Sequence, residues 1–456
     1  MDTDRREFLR MTAGAAALLW PLRSAGAREA GAQTALGIHR ATRNTRTGAI
    51  GTVVRARLQA ELAPFKEYPG LPRDRLAMPS WQTGRPLFDV VQGYRPARVF
   101  APEPCSRDEL ARLLFLTNGV TQRAAGRSLR AAPSAGALYA GEIYVVVERI
   151  PGVAAGIHYY DVEAHALVPL RSGSFLAEVA RALTDPPDVA RAAAAVLLTN
   201  VFARYRVRYA NRGDRYALID SGHIGENLRL AASELALGEA PTARLADERL
   251  NAFLGVDGVE EAVCAVHWIG RAGEPASNAA SGMAVHDAIR KRRSTRRFES
   301  RALARTDLLA ILALARNNAA LHRSAKLDLY VVAHRVAQTD AGVYRYEPGA
   351  NRLAEIRRGE LASSLVRACL GQEKTGQAAA AIVGVARLSE GDGAHSYRAV
   401  LLDAGATAQR IYLGAEALGL TARNLAAFYD DELDALLGLD GEREVAVHLT
   451  AVGAGD

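Results

Sequence analysis

Lysine is nearly missing from this 456-residue chain: Lys66, Lys291, Lys326 and Lys374 are the only four. Cysteine is as sparse, and Cys105, Cys264 and Cys369 form an odd set with no CxxC spacing and no histidine pair nearby. That excludes a disulfide framework and a cysteine-based zinc site. The ten histidines show no HxH or HxxxH spacing, so no metal is expected. Aromatics are only 6% of the residues. The positive charge, +7 overall, is carried by arginines scattered along the chain rather than clustered with aromatics, so no nucleic-acid partner is expected. What remains is ordinary: 49% hydrophobic and 23% charged residues, with enough apolar mass for two domains.

Long hydrophobic runs are missing too. The longest candidate, Met11 to Leu22, is too short to span a bilayer. It follows Arg5-Arg6-Glu7-Phe8-Leu9-Arg10 and precedes Ser24-Ala25-Gly26-Ala27. A twin arginine, a short apolar stretch and an A-x-A ending resemble a twin-arginine export signal, with cleavage expected after Ala27. An amphipathic first helix is the alternative. The expected mature protein is periplasmic or exported, with no stable membrane insertion. The route is known for carrying folded proteins with cofactors already in place.

The chain repeats itself. Ala155-Gly156-Ile157-His158-Tyr159-Tyr160 is echoed by Ala341-Gly342-Val343-Tyr344-Arg345-Tyr346, an offset of 342 − 156 = 186. Tyr216-Ala217-Leu218-Ile219-Asp220-Ser221-Gly222 is echoed around Asp403-Ala404-Gly405, an offset of 403 − 220 = 183. Such a period fits a whole domain rather than a solenoid repeat. We place an N-terminal arm at 28–84, a first domain at 85–272, a linker at 273–281 and a second domain at 282–456. Each copy reads in the same order: a helix (107–116; 305–314), a strand (142–148; 327–333), a tyrosine-rich hairpin, an apolar strand (194–200; 379–386), a long helix (215–236; 397–418) and a closing strand (261–269; 444–452). Long helices around a few strands read as α+β.

Two local motifs have chemistry of interest, and neither by itself would justify a cofactor. In Arg292-x-Ser294-x-Arg296 the alternate residues of an extended stretch are expected to face one side, offering guanidinium forks and a hydroxyl to a phosphate. A solvated basic helix end is the alternative. In Pro133-Ser134-Ala135-Gly136, proline fixes the entry, serine supplies a hydroxyl, and the small residues let a ring approach the backbone. An ordinary turn before a strand is the alternative there.

Arg292-Arg293-Ser294-Thr295-Arg296-Arg297-Phe298 resembles the opening motif of the nitroreductase-like flavoproteins. Pro133-Ser134-Ala135-Gly136-Ala137-Leu138-Tyr139, the Ala-Gly-Ile-His-Tyr-Tyr hairpin and the Arg212…Tyr216…Gly222-His223…Asn227 helix resemble their SagB-type (azoline dehydrogenase) branch. The resemblance implies two tandem domains of the FMN-dependent nitroreductase fold forming a monomeric, intrachain pseudo-dimer. It further implies that FMN is held by Arg292, Ser294 and Arg296 from one copy and by Pro133, Ser134, Ala135 and Gly136 from the other. Counting back from the aromatic, Phe100 matches Phe298 and Arg98 matches Arg296, but Pro96 replaces Ser294 and Tyr94 replaces Arg292. Counting back from the strand, Ala319 and Ala320 stand where Pro133 and Ser134 do. The complementary losses imply one composite site and one FMN per chain. Near the ring, the family's backbone donor follows the stretch here written Ala417-Leu418-Gly419-Leu420 and maps to Ala427, where the family often has glycine. The family's terminal basic residue is absent from Val452–Asp456.

The branch carries a Lys-Tyr pair proposed to remove the substrate proton, and the matching residues here are Arg208 and Tyr209. A guanidinium stays protonated and is a poor base, so Tyr209 is the expected acid–base group, with its pKa lowered by Arg204, Arg206 and Arg208. The reaction implied is oxidation of a small-molecule or peptide-derived substrate. Electrons would pass to oxygen, a quinone or a redox protein, since nicotinamide cofactors are not expected outside the cytoplasm. The alternative function is a nitroreductase-fold protein that has lost its flavin and serves as a binding or scaffold partner.

Overall fold

The computed structural model describes residues 34–455, apart from 46–62, 64, 82–83, 125, 184–185, 187, 189, 243, 274–281 and 317–326. The export-signal segment 1–27 lies outside the described residues, as do most of the linker and Ala319 and Ala320. Among the described residues no helix is long and apolar enough to cross a membrane, and no group of His, Cys, Asp or Glu could hold a metal ion.

The chain divides into two compact units that interleave along the sequence. The copy-one unit comprises Glu61–Arg204 and Asp220–Lys291. The copy-two unit comprises Met1–Ala60, Tyr205–Ile219 and Arg292–Asp456. The sequence divides the copies at the linker, whereas compactness assigns Tyr205–Ile219 to the second unit. Hydrophobic periodicity reports which residues are buried, not which core buries them.

In the copy-one unit the strands are β1 (Asp74–Arg75), β2 (Val120–Ala124), β3 (Arg127–Arg130), β4 (Gly141–Val147), β5 (Gly156–Asp161), β6 (Ala166–Ser172), β7 (Ala194–Val201), β8 (Leu237–Thr242) and β9 (Glu261–Arg271). β2 and β3 form a separate hairpin; the rest make one sheet in the order β1-β6-β5-β4-β7-β9-β8. In the copy-two unit β10 (Leu327–Ala333), β11 (Gly342–Glu347), β12 (Arg352–Arg358), β13 (Ala380–Arg387), β14 (Thr421–Leu425) and β15 (Glu444–Gly453) form a sheet in the order β12-β11-β10-β13-β15-β14. Long helices run over Gly213–Glu234 and Ala394–Ala417. Each unit is α+β, and apart from the edge strand β1 the two sheets share one topology.

The duplication extends to the irregularities. The β7–β9 ladder shifts register between Leu198 and Thr199, and β13–β15 shifts between Gly384 and Val385, where 384 − 198 = 186. A bulge between Ile157 and His158 in β5 recurs between Val343 and Tyr344 in β11. Bulges re-aim side chains and bend a strand, so they are kept as features of a fold. Gly156 and Gly342 open these strands because their neighbours come too close. A Cβ would stand 2.4 Å from the Arg171 carbonyl oxygen in one case and 2.3 Å from that of Arg357 in the other. Gly342→Ala is therefore expected to destabilise the copy-two unit by about 1–3 kcal/mol, since the obstacle is backbone. Denaturant unfolding measures this, and an unchanged midpoint would show that the strand shifts freely.

Local signals set the helix ends. Ser106 caps the helix Arg107–Asn118 in a reciprocal capping box with Glu109. Gly255 and Gly438 end equivalent helices, Asp247–Leu254 and Asp430–Leu437, in the left-handed conformation that glycine adopts without a Cβ clash. The copy-one core packs Tyr144, Tyr159, Val266 and Trp268. The copy-two unit has cores on both sheet faces, one around Leu312, Ile382 and Ile411, the other around Phe298, Leu365 and Phe428.

Candidate functional site

In the copy-two unit, residues 292–298 run beside β14. Ser294 makes a parallel bridge to Ala422, the Thr295 N–H donates to the Ala422 carbonyl (3.0 Å), and Arg423 Nη1 donates to the Thr295 carbonyl (3.0 Å). Phe298 fastens the segment by burying its ring in the core. The three residues expected to share a side divide. Arg292 is buried, with its guanidinium 5.3 Å from the Tyr412 ring centroid, while Ser294 and Arg296 are exposed. Tyr412 joins the first two, because its hydroxyl lies 2.7 Å from Ser294 Oγ and accepts from the Asn424 N–H (2.7 Å).

Two cations that sequence reasoning missed complete this end. Burial pushes the Lys374 ammonium below its ordinary pKa, and the guanidiniums of Arg423 and Arg296 push it further. Both charges acting on it are positive, and cations that repel one another are relieved by an anion carrying more than one charge. A signal was available: Lys374 is one of only four lysines.

The backbone expected near the ring is held from behind. Arg212 Nη2 donates to the Ala426 carbonyl (2.9 Å), Gln372 Nε2 to that of Ala427 (3.0 Å) and Asn44 Nδ2 to that of Phe428 (3.2 Å). A trans peptide aims its N–H opposite its C=O. The N–H groups of Ala427 and Phe428 accordingly point away from these partners, and neither finds an acceptor among the described residues. Phe428 is fully buried, where an unmet N–H is costly. Orphaned donors at this position, two residues of sequence away from β14, fit a ligand edge rich in acceptors. The donors and the cation cluster are tied together through one short stretch that carries both Gln372 and Lys374.

Arg212 also anchors a buried ionic cluster. Its Nη1 meets both Asp430 carboxylate oxygens (2.8 and 2.7 Å), and Arg215 Nη1 meets Asp430 Oδ1 (2.7 Å). The described part of the arm closes this cluster. A short helix, Ala35–Ala41, capped by Thr34, presents the His39 carbonyl and Thr42 Oγ1 to Arg215 and the Thr42 carbonyl to Arg212. Burial opposes ionisation of Asp430, but Arg212 and Arg215 overcome it and hold the carboxyl well below the usual carboxylate range.

Asp434, one turn on, is the opposite case. Burial pushes its carboxyl up to about 7, against the Ala446 N–H that donates to it (2.7 Å) and with the Asp430 charge adding to the rise. An acid whose folded pKa lies above its unfolded value binds more protons when folded, so stability falls as pH rises from about 4 to 7. Asp434→Asn keeps the acceptor oxygen and removes that titration. It is expected to raise the melting temperature at pH 8, with an unfolding gain on the order of 2 kcal/mol, and to leave pH 4 nearly unchanged. Equal effects at both pH values would contradict this.

Tyr209 ends the helix Phe202–Tyr209, half-buried, packed edge-on against Tyr216 (4.9 Å) and stacked near Tyr205 (6.3 Å). Arg208 is exposed, with its guanidinium 5.7 Å from the Tyr209 centroid. Two of the three arginines expected to act on Tyr209 also have carboxylate partners. Arg206 forks onto Asp214 (2.8 and 3.1 Å), and Arg204 is paired with Glu142 (2.6 Å), so each of these two guanidiniums has a carboxylate beside it. The helical spacing shows which residues share a face but not which carboxylates have already claimed them.

In the copy-one unit the Pro133–Gly136 loop is a braced, strained turn. Gly136, Ala137 and Tyr139 have φ of 64°, 55° and 47°. Such conformations cost an L-residue about 1–2 kcal/mol each and persist where surroundings impose them, often at functional sites. Here Ser134 Oγ accepts from the Tyr139 N–H (2.8 Å), the Ala135 N–H donates to Asp220 Oδ2 (3.1 Å), and Arg204 Nη1 donates to the Tyr139 carbonyl (3.0 Å). The serine hydroxyl read as an outward donor therefore also serves as an inward acceptor.

Comparison with known proteins adds the following. The sequence matches the Nitroreductase family over residues 93–271 and again over 289–454. It is 31% identical over 170 residues to a protein of Methanocaldococcus jannaschii that is a nitroreductase by name, covering 37% of this chain and 84% of that one. It is 32% identical over 147 residues to the trifolitoxin-processing protein TfxB of Rhizobium leguminosarum bv. trifolii, covering 31% of this chain and 39% of that protein. A solved structure of a nitroreductase-named protein from Anabaena variabilis superposes with a TM-score of 0.76 at 24% identity, over 93% of this chain and all of that one. That last likeness concerns the fold.

Proposed function

This chain belongs to the nitroreductase family, in two tandem copies, and from that premise we propose that it is an FMN-dependent oxidoreductase with one flavin per chain. The observation that carries the proposal is the donor set of the copy-two unit. Arg423 donates to the Thr295 carbonyl beside Ser294, Ser294 and Arg292 share Tyr412, and the charges of Arg423 and Arg296 act on Lys374. The carbonyls of Ala426, Ala427 and Phe428 are tied back, so the N–H groups of Ala427 and Phe428 are left to donate. The first set suits a phosphate monoester and the second a ring edge lined with acceptors. We propose the Pro133–Gly136 loop of the copy-one unit as a cofactor-binding element, its strain held by Asp220 and Arg204.

When bound, the flavin would supply two-electron redox chemistry. The chain's own groups bind, orient and move a proton. Arg208, always charged, is suited to orienting an anionic or carbonyl-bearing substrate beside Tyr209. The Tyr209 phenol is the group we assign to proton transfer, steadied by the rings of Tyr205 and Tyr216. Similarity to a trifolitoxin-processing protein supports a SagB-type dehydrogenase acting on a peptide-derived or small-molecule substrate. Replacement of the branch lysine by Arg208 makes direct peptide azoline oxidation the less favoured form. We propose export by the twin-arginine route, and oxygen, a quinone or a redox protein as electron acceptor.

The test starts with colour. Purified chain is expected to carry FMN or to take it up, and candidate substrates should bleach it without oxygen. Tyr209→Phe is expected to keep the flavin and lose the bleaching. A folded protein that cannot be loaded with FMN would refute the enzyme and favour a binding or scaffold role.

A further inference from the structure

Copy one contains the counterpart of the phosphate end, and its atoms can be matched bond by bond. The Ala97 N–H donates to the Glu239 carbonyl (2.7 Å) as Thr295 does to Ala422 (3.0 Å). The Ala101 N–H donates to the Arg271 carbonyl (3.0 Å) as Glu299 does to Ala454 (2.9 Å). This register sets Tyr94 opposite Arg292 and Glu239 opposite Ala422. Aligning the long helices on Asp220 and Asp403 sets Arg229 opposite Tyr412 and Glu226 opposite Gln409.

A cation–π pair occupies the same place in both copies with its members exchanged. The Arg229 guanidinium lies 4.2 Å from the Tyr94 centroid, and the Arg292 guanidinium lies 5.3 Å from the Tyr412 centroid. Packing is preserved, but the charge around it is reversed. In copy two the neighbouring positions are Ala422 and Gln409, with Arg423 following. In copy one they are Glu239 and Glu226, with Ala240 following. Tyr94 Oη donates to Glu239 Oε2 (2.5 Å), His267 Nδ1 lies 2.6 Å from Glu239 Oε1, and Arg229 pairs with Glu226. Tyr94, Glu226, Arg229, Glu239 and His267 are all buried.

We infer that copy one's phosphate end has been converted into an internal latch, in which the carboxylates of Glu239 and Glu226 take the place of a bound anion. The hydroxyl, imidazole and guanidinium that face inward there are engaged by protein carboxylates. A phosphate dianion brought to that position meets two buried like charges and displaced partners, a large desolvation and repulsion cost. The inference rests on the flavin reading above and deepens it: the chain binds a single FMN because the second phosphate end is closed from within. The latch also ties β8 (Glu239) to β9 (His267) and to the segment before Phe100, so it stabilises its own unit without ligand.

The test is FMN titration of the full chain, read by fluorescence quenching, with the melting temperature of the flavin-free protein recorded in parallel. Wild type is expected to saturate at one equivalent. Arg292→Ala should weaken that binding and leave no second class of site. Tyr94→Phe should keep the equivalent intact and lower the flavin-free melting temperature. Two equivalents in wild type, or one that survives Arg292→Ala and vanishes with Tyr94→Phe, would overturn the inference. Glu226→Gln/Glu239→Gln preserves shape and removes both charges; it is expected to admit a second, weaker FMN. A stoichiometry still at one in that variant, folded by circular dichroism, would overturn the carboxylates' role as the barrier. If wild type binds no FMN at all, the flavin reading itself fails, a distinguishable result.

Discussion

Asp430→Ala is expected to cost the copy-two unit about 3–5 kcal/mol, the usual penalty for removing one partner of a buried ion pair. The carboxylate is fully buried and serves two guanidiniums, Arg212 and Arg215, which are themselves 4% and 0% exposed. Neither can shed its proton to escape the loss. The variant should show a lower denaturant midpoint. It should also retain flavin less well, because Arg212 would no longer be held in place to tie back the Ala426 carbonyl. The sign of the pH dependence follows from the direction of the shift. A carboxyl whose folded pKa is depressed contributes stability above its unfolded value, near 4, and that stability is lost as pH falls toward the folded pKa. Wild type should therefore lose stability below about pH 4 more steeply than Asp430→Asn. Parallel acid curves for the two proteins would refute this account.

The double substitution Arg296→Ala/Lys374→Ala is expected to weaken FMN binding by roughly 10²–10³-fold, from two charge-assisted contacts at about 1.5–3 kcal/mol each, with some overlap. Riboflavin has the same ring without the phosphate, so its affinity should barely change. The ratio of the two affinities is the measurement, because a general loss of folding would lower both. High salt should narrow the wild-type ratio, since Arg296 is exposed and Lys374 only half-buried, so both are screened. If the double variant loses FMN and riboflavin equally, the cluster is not the phosphate end.

The duplication, the α+β class and the identity of most elements are legible in the order of the amino acids. The reason is that strand alternation, helical spacing and turn glycines are local properties. Gly156 and Gly342 are legible because the same steric need recurs at one offset, and the strand Leu327–Ala333 reads directly from its apolar run. The Arg292, Ser294, Arg296 segment stood out as a candidate anion motif only when its spacing was read together with the repeat. Tertiary structure decided what that spacing could not. Tyr412 lies 118 residues from Ser294, and Lys374 and Arg423 reach Arg296 only through the fold. Pairing partners are likewise non-local, so the commitment of Arg206 to Asp214 and Arg204 to Glu142 stayed hidden. The arm shows the same division. Residues 34–44 carry no periodic signal long enough to read, yet their carbonyls and Thr42 hydroxyl satisfy two buried arginines. Local propensity is written residue by residue, whereas electrostatic pairing and burial depend on which distant segments the core brings together.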